Sequence, residues 1–277
     1  MTSSLQVAGQ LLWRLRLDLL AVLGVAAAMV FAADRIPMQN AAAVVPVLGI
    51  VVSIFIGFRN RNAYNRWWEA RTLWGAILIN GRSLNYALTA YDDGQPEMSV
   101  VLDRMRRREA RHAWQLAAEL RGTPGVGLDV LTPEDPPDAS AAELLRGQAA
   151  DIAVLSCAGL IDRQARRVLV TINSAQVGAT EGLERIRNQP IPRYYDLFIR
   201  ALAWTFAVLV CTRIDGVGHD AIVGVLVGIL VMALFVIAER IGRLLEEPLS
   251  DNVFGIGLDG ICARLTEDLS VKPIGDW

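Results

Sequence analysis

Residues 54–71 read IFIGFRNRNAYNRWWEAR. A run of hydrocarbon side chains gives way abruptly to arginine, asparagine and the adjacent tryptophans Trp67 and Trp68, with no proline to stop a helix. Such a boundary belongs to a membrane surface, to the edge of a soluble core, or to a nucleic-acid patch. The flanking sequence separates these readings. Upstream, Ala41 to Phe58 (AAAVVPVLGIVVSIFIGF) carries no charge and is long enough for a bilayer core, which takes roughly 17–25 apolar residues per helix. Three more segments qualify: Leu17 to Ala33 with Asp18 at its edge, Leu197 to Cys211 with Arg200 near its start, and Ala221 to Ala238. Arg200 is close enough to the end for its head group to snorkel. The first segment has no small-residue cleavage site followed by a secreted domain, so it is read as a span and not as a signal peptide.

Composition agrees. Hydrophobic residues make up 53% of the 277, against about 45–50% in soluble domains. The 27 basic residues are balanced by 29 acidic ones, a net charge of −2, which argues against a nucleic-acid partner. Cys157, Cys211 and Cys262 are widely separated, so no disulfide framework is expected. His112 and His219 are the only histidines, leaving almost no ligands for zinc or iron, and no cofactor is expected.

Arginines near the span ends set the orientation. Arg14, Arg16, Arg59, Arg61, Arg66, Arg71, Arg187, Arg193, Arg200, Arg240 and Arg243 fall on one side. The two short loops on the other side hold only Arg35 and Arg213, among Asp34, Asp215 and Asp220. The expectation is a multi-pass protein of the bacterial inner membrane with spans at about 17–33, 41–58, 197–211 and 221–238. Both termini and the regions 59–195 and 239–277 are then cytoplasmic.

The cytoplasmic region reads as helical. Asn62 to Tyr91 places Trp67, Trp74, Leu78, Leu84 and Leu88 at helical spacing and is expected to continue the second span as one helix. Glu97 to Arg121 is a second helix whose arginines (Arg104, Arg106, Arg107, Arg108, Arg111) are read as a solvated face with some carboxylate pairing. Gly122 to Pro137 is a loop, in which Gly125-Val126-Gly127 is a turn and not a dinucleotide fingerprint. Ala139 to Leu160 and Ile161 to Arg187 complete the helices, and Gln189-Pro190-Ile191-Pro192 ends the last of them.

No Walker loop, nucleophile elbow or zinc motif is present, so an enzyme is not expected. The acid pairs Asp92-Asp93 and Glu246-Glu247 are read mainly as surface residues, with cation binding as the alternative. In the second span Pro46 favours a kink, and Gly49 and Gly57 permit close helix approach. Ile50, Ile54 and Phe58 recur every fourth residue as one stripe. From spacing alone, that stripe either packs against a helix or lipid, or forms a hydrophobic constriction when several copies surround an axis.

Gly57-Phe58-Arg59-Asn60, Ala63-Tyr64-Asn65-Arg66-Trp67-Trp68-Glu69-Ala70-Arg71 and Leu73-Trp74-Gly75 resemble the bestrophin family, in its bacterial branch. Arg185-Ile186, Pro190-Ile191-Pro192 and Glu247-Pro248 extend the resemblance to about residues 10–270. It implies an all-α membrane protein with four transmembrane helices per subunit and a large helical cytoplasmic region, assembled as a homopentamer around one central pore. The family's three neck residues fall on Ile50, Ile54 and Phe58, and a second constriction at the cytoplasmic aperture falls on Val168. Animal members follow an Asn-Pro-Phe-Gly segment with acids that clasp calcium. Here Asp251 is the only acid between Pro248 and Asp259, so calcium gating is not expected.

The expected function is a channel for small monovalent ions. Animal members conduct chloride while bacterial relatives include cation conductors. Aliphatic Ile54, where animal members carry phenylalanine, leans the reading toward sodium and potassium, with an anion channel of the same fold as the alternative. From another class, residues 59–195 serve as a membrane-anchored signalling or scaffold module.

Overall fold

The computed structural model describes residues 4–32, 41–125, 127–190, 192–211 and 219–270. The short loops carrying Asp34, Arg35, Arg213 and Asp215 lie outside the described residues, as do Ala33, Val126 and Ile191. The described chain is helical: α1 (Ser4–Ala32), α2 (Ala41–Tyr91), α3 (Pro96–Arg121), α4 (Ala141–Cys157), α5 (Arg163–Asn188), α6 (Arg193–Cys211), α7 (His219–Glu246) and α8 (Leu258–Asp268), with a 3-10 turn at Leu128–Leu131. The single helix expected to run through the opening stretch is present: α2 continues for 51 residues with Pro46 inside it. Among the described residues, Val44–Tyr91 and Val223–Glu246 are the helical stretches long and apolar enough to cross a membrane.

The chain divides into two compact units. The first comprises Met1–Trp67, Pro190–Pro248 and Asn252–Phe254. In it Val52 and Ile56 of α2 pack with Ile199, Ala203 and Phe206 of α6. Val22 and Ala26 of α1 pack with Ala207 of α6 and Met232 and Val236 of α7. Gly49 fits the close-approach reading, since a Cβ there would stand 3.0 Å from the Phe206 ring. At Gly57 a Cβ would meet nothing within 4 Å of its own chain.

The second unit comprises Trp68–Gln189, Leu249–Asp251 and Gly255–Trp277. Trp74 and Ile77 of α2, Leu116 of α3, Leu183 of α5 and Leu265 of α8 share one core cluster; Leu88, Met105, Leu155 and Leu169 share another. Local chemistry sets the helix ends. Pro96 opens α3, where its missing N–H costs nothing, and Gly122 closes it with φ of 69°. Ser140 and Glu143 form a capping box on α4, and Asp162 accepts from the Ala165 N–H on α5.

The arginine run of α3 is not a simple solvated face. Arg108 is buried against Asp135 and Asp151, and Arg111 is buried with its guanidinium on the carbonyls of Thr132, Pro136 and Pro137. The proline-rich loop lacks helical partners for its carbonyls, and a guanidinium carries five donors in a fork that reaches several at once. Arg107 adds Asp103 and Glu134 at 2.9 and 3.0 Å. Asp92 and Asp93 are likewise spent locally, accepting from the backbone N–H groups of Gly94 and Gln95 in the turn before α3.

Candidate functional site

On α2 two stripes run in parallel. Val52, Ile56, Arg59 and Ala63 are buried within the first unit. Val47, Ile50, Ile54 and Phe58 lie on another face, and the last three keep 63%, 51% and 59% of their surfaces exposed. The chain's own packing therefore leaves the predicted neck residues uncovered. The hydroxyl of Ser53 does not interrupt this face with an open donor, because it donates to the Gly49 carbonyl at 2.7 Å.

Immediately after Phe58, Arg59 fixes the rotation of α2. Its guanidinium is fully buried and donates from Nε to Glu246 Oε1 and from Nη1 to Glu239 Oε1, each at 2.7 Å, and from Nη2 to Asp196 Oδ1. Arg243 joins through Nη2 to Glu239 Oε1 at 2.8 Å and lies 3.3 Å from Asp196 Oδ2. The Asn60 amide donates to the Ala238 carbonyl at 3.1 Å, and Trp67 Nε1 to the Phe254 carbonyl at 2.7 Å. These ties hold Arg59 inward. Phe58, about 100° away around the helix, is thereby held outward.

From sequence, Arg59 has only an orientation role and Glu246 is a surface or cation-binding acid. A signal for the network was present: Asp196 and Glu239 sit at the ends of hydrophobic segments, where an acid requires a cation. Asp18 is treated in the same way, by Arg240 at 3.2 Å and Arg200 at 3.9 Å. Glu69 receives Arg185 and not Arg66 one turn away, while Arg66 Nε donates to the Glu246 carbonyl at 2.9 Å. Trp67 is stacked on Tyr64 with ring centroids 6.0 Å apart, whereas the adjacent Trp68 is exposed.

Val168 belongs to the second unit, half-buried on α5 between buried Ala165 and Leu169. Around it the first turns of α5 present exposed Arg163, Arg166 and Arg167, with no ion pair to any of them among the described residues. Asn252 is occupied structurally: its amide donates to the carbonyls of Leu244 and Glu247, and its Oδ1 accepts from the Phe254 N–H. Among the described residues no group of three His, Cys, Asp or Glu side chains is placed to hold a metal ion. Cys157 and Cys262 are free thiols.

Comparison with known proteins gives a consistent result. A family profile described as Bacterial/Fungal Bestrophin protein matches residues 2–271. A voltage-dependent anion channel-forming protein of Mesorhizobium japonicum is 27% identical over 236 residues, covering 83% of this chain and 74% of that protein. The voltage-dependent anion channel-forming protein YneE of Escherichia coli is 28% identical over 244 residues, covering 80% and 74%. Among solved structures, a bacterial bestrophin homologue from Klebsiella pneumoniae superposes with a TM-score of 0.81 at 21% identity, covering 94% of this chain and all of that one. A single-residue variant of that homologue gives a TM-score of 0.82 at 23% identity over 93% of this chain and 98% of that one.

Proposed function

We propose that this chain, which belongs to the bacterial/fungal bestrophin family of ion channels, assembles in the bacterial inner membrane as a homopentamer that passes small inorganic anions. In this arrangement the four hydrophobic segments cross the membrane with both termini cytoplasmic. The second helix of each subunit lines a neck, and Ile50, Ile54 and Phe58 form three stacked apolar rings. The observation that carries the channel reading is the exposure of those three side chains on a helix whose other face is locked by Arg59. Five copies around an axis would place the rings in a narrow path that loses water readily, so the neck gates by wetting and dewetting.

The sign of the permeant ion is decided outside the neck, because the rings carry no charge. The relatives named as anion channel-forming proteins favour anions over the cation lean drawn from Ile54. Arg163, Arg166 and Arg167 around Val168 favour the same sign. With five subunits, Val168 forms the cytoplasmic aperture and these arginines ring it, raising the local concentration of anions. Calcium has no part in this gating: Asp251 stands without neighbouring acids and the Asn252 carboxamide is committed to its own turn.

Reversal potentials of the purified protein in a planar bilayer test the proposal. Under a chloride gradient the potential is expected to follow chloride, to shift toward zero selectivity in Arg167→Glu, and to be indifferent to calcium chelation. A potential that follows sodium would restore the cation reading. A monomer or dimer with no ion flux would restore the scaffold reading.

A further inference from the structure

The face of α2 that carries Ile50, Ile54 and Phe58 does not end at Phe58, because the helix runs on without a break to Tyr91. Arg61 stands seven residues after Ile54 and eleven after Ile50. At about 100° per residue these spacings bring it within about 20° of both around the helix axis. It is thus the next side chain of the stripe, about 4.5 Å further along the axis than Phe58. The buried network gives the same answer from the other side. Arg59 is held inward on Glu239 and Glu246, and Arg61, two residues later, lies about 200° away around the helix. Asn65 and Thr72 follow on the outward face, and all three residues are exposed.

Charge on this face has one sign. Glu69 is the only acid in α2, and Arg185 engages it. Among the arginines of α2, Arg59 is spent on three carboxylates, Arg66 on the Glu246 carbonyl and Arg82 on Asp268, and Arg71 is engaged as well. Arg61 makes no hydrogen bond or ion pair among the described residues. Its charge does nothing for the packing of its own chain. It remains available to whatever passes along the stripe.

We propose that Arg61 is a charge-selecting residue of the ion path. The proposal rests on the pentameric channel reading and deepens it. Five copies around the axis set five guanidinium groups at one level, just beyond the Phe58 ring on its cytoplasmic side. They form a cationic ring that concentrates anions at the mouth of the uncharged neck and repels cations. Selection by sign then begins at the neck itself, in addition to the arginines around Val168.

The test is the chloride-to-sodium permeability ratio of the purified full-length protein in a planar bilayer, taken from reversal potentials under a sodium chloride gradient. Arg61→Gln is expected to lower the ratio about tenfold, the lower end of the range for charge focused in a cleft. Arg61→Glu should lower it further, and Arg61→Lys should keep the wild-type ratio. Because the side chain has no partner in its own chain, all three variants should unfold at the wild-type temperature. In Arg61→Cys, a trimethylammonium-bearing methanethiosulfonate should raise the ratio and a sulfonate-bearing one should lower it, with wild type unaffected by either. A wild type that follows chloride, with an unaltered ratio in the Gln and Glu variants, would overturn the role of Arg61 and leave the anion reading standing. A wild type that follows sodium, with a chloride share still lower in Arg61→Glu, would overturn the anion reading and uphold the role of Arg61. A lowered ratio that Arg61→Lys shares would show a structural effect and overturn the proposal.

Discussion

Arg59 contacts three carboxylates, Asp196, Glu239 and Glu246, each from an element remote in sequence. Its replacement by methionine leaves a somewhat smaller apolar side chain and removes the cation, so that among the described residues Glu239 is left buried with Arg243 alone. A loss of roughly 3–5 kcal/mol is expected, as for other broken buried pairs. Thermal unfolding in detergent checks it, and Arg59→Lys should fall between wild type and methionine because an ammonium lacks the planar fork. A second residue-scale consequence concerns pH. Burial pushes the Glu109 carboxyl up to about 8, only partly offset by the amide of Gln176, and pushes His112 down to about 4. With a raised folded pKa, the Glu109 contribution is complete below about 4.5 and is lost as pH rises through about 8. His112 works oppositely, contributing above about 6.5 and losing that contribution as pH falls through about 4. Of these two groups only Glu109 acts between pH 6.5 and 8, so its share makes unfolding midpoints fall across that window, and Glu109→Gln should flatten them. A wild-type protein equally stable at both ends would contradict the assignment.

Among elements, α2 was the most legible, because neither proline nor glycine clustering interrupts the polarity change at Phe58 and a helix carries its own hydrogen bonds through it. The bounds of α3 and the end of α5 lie within one residue of those expected, where Pro96 and Pro190 act locally, whereas α4 is shorter than 139–160 and α5 starts two residues after 161, at the caps Ser140 and Asp162. How helices approach one another was less legible. Gly242 of α7 faces Asn60 of α2, and a Cβ there would lie 2.1 Å from Asn60 Oδ1. Nothing in the local sequence distinguishes this glycine from Gly57, which meets no neighbour. Gly242→Ala should force the Asn60 carboxamide off the Ala238 carbonyl and cost about 1–3 kcal/mol, the usual range for overpacking. Adding Asn60→Ala should relieve part of that cost, a non-additivity expected only if the two residues touch. Strict additivity of the two effects would refute the contact.

At the scale of the whole molecule, the prediction concerns the assembled neck. Replacing Ile50, Ile54 and Phe58 together by alanine should widen the rings and ease wetting, so single-channel conductance should rise while folding is little affected, given that more than half of each residue's surface is left uncovered by its own chain. Unchanged conductance would move the gate elsewhere. The sequence by itself determined the helical content, the candidate spans, the orientation expected from arginine, and the family, because hydropathy, capping and motif identity are local properties that sum along the chain. Only the tertiary structure decided which face of α2 is left bare, which arginines are buried, and what the acids beside the spans are for. Burial depends on partners that sequence order hides: Arg59 and Glu246 are 187 residues apart, and their contact exists only once α2 and α7 have packed.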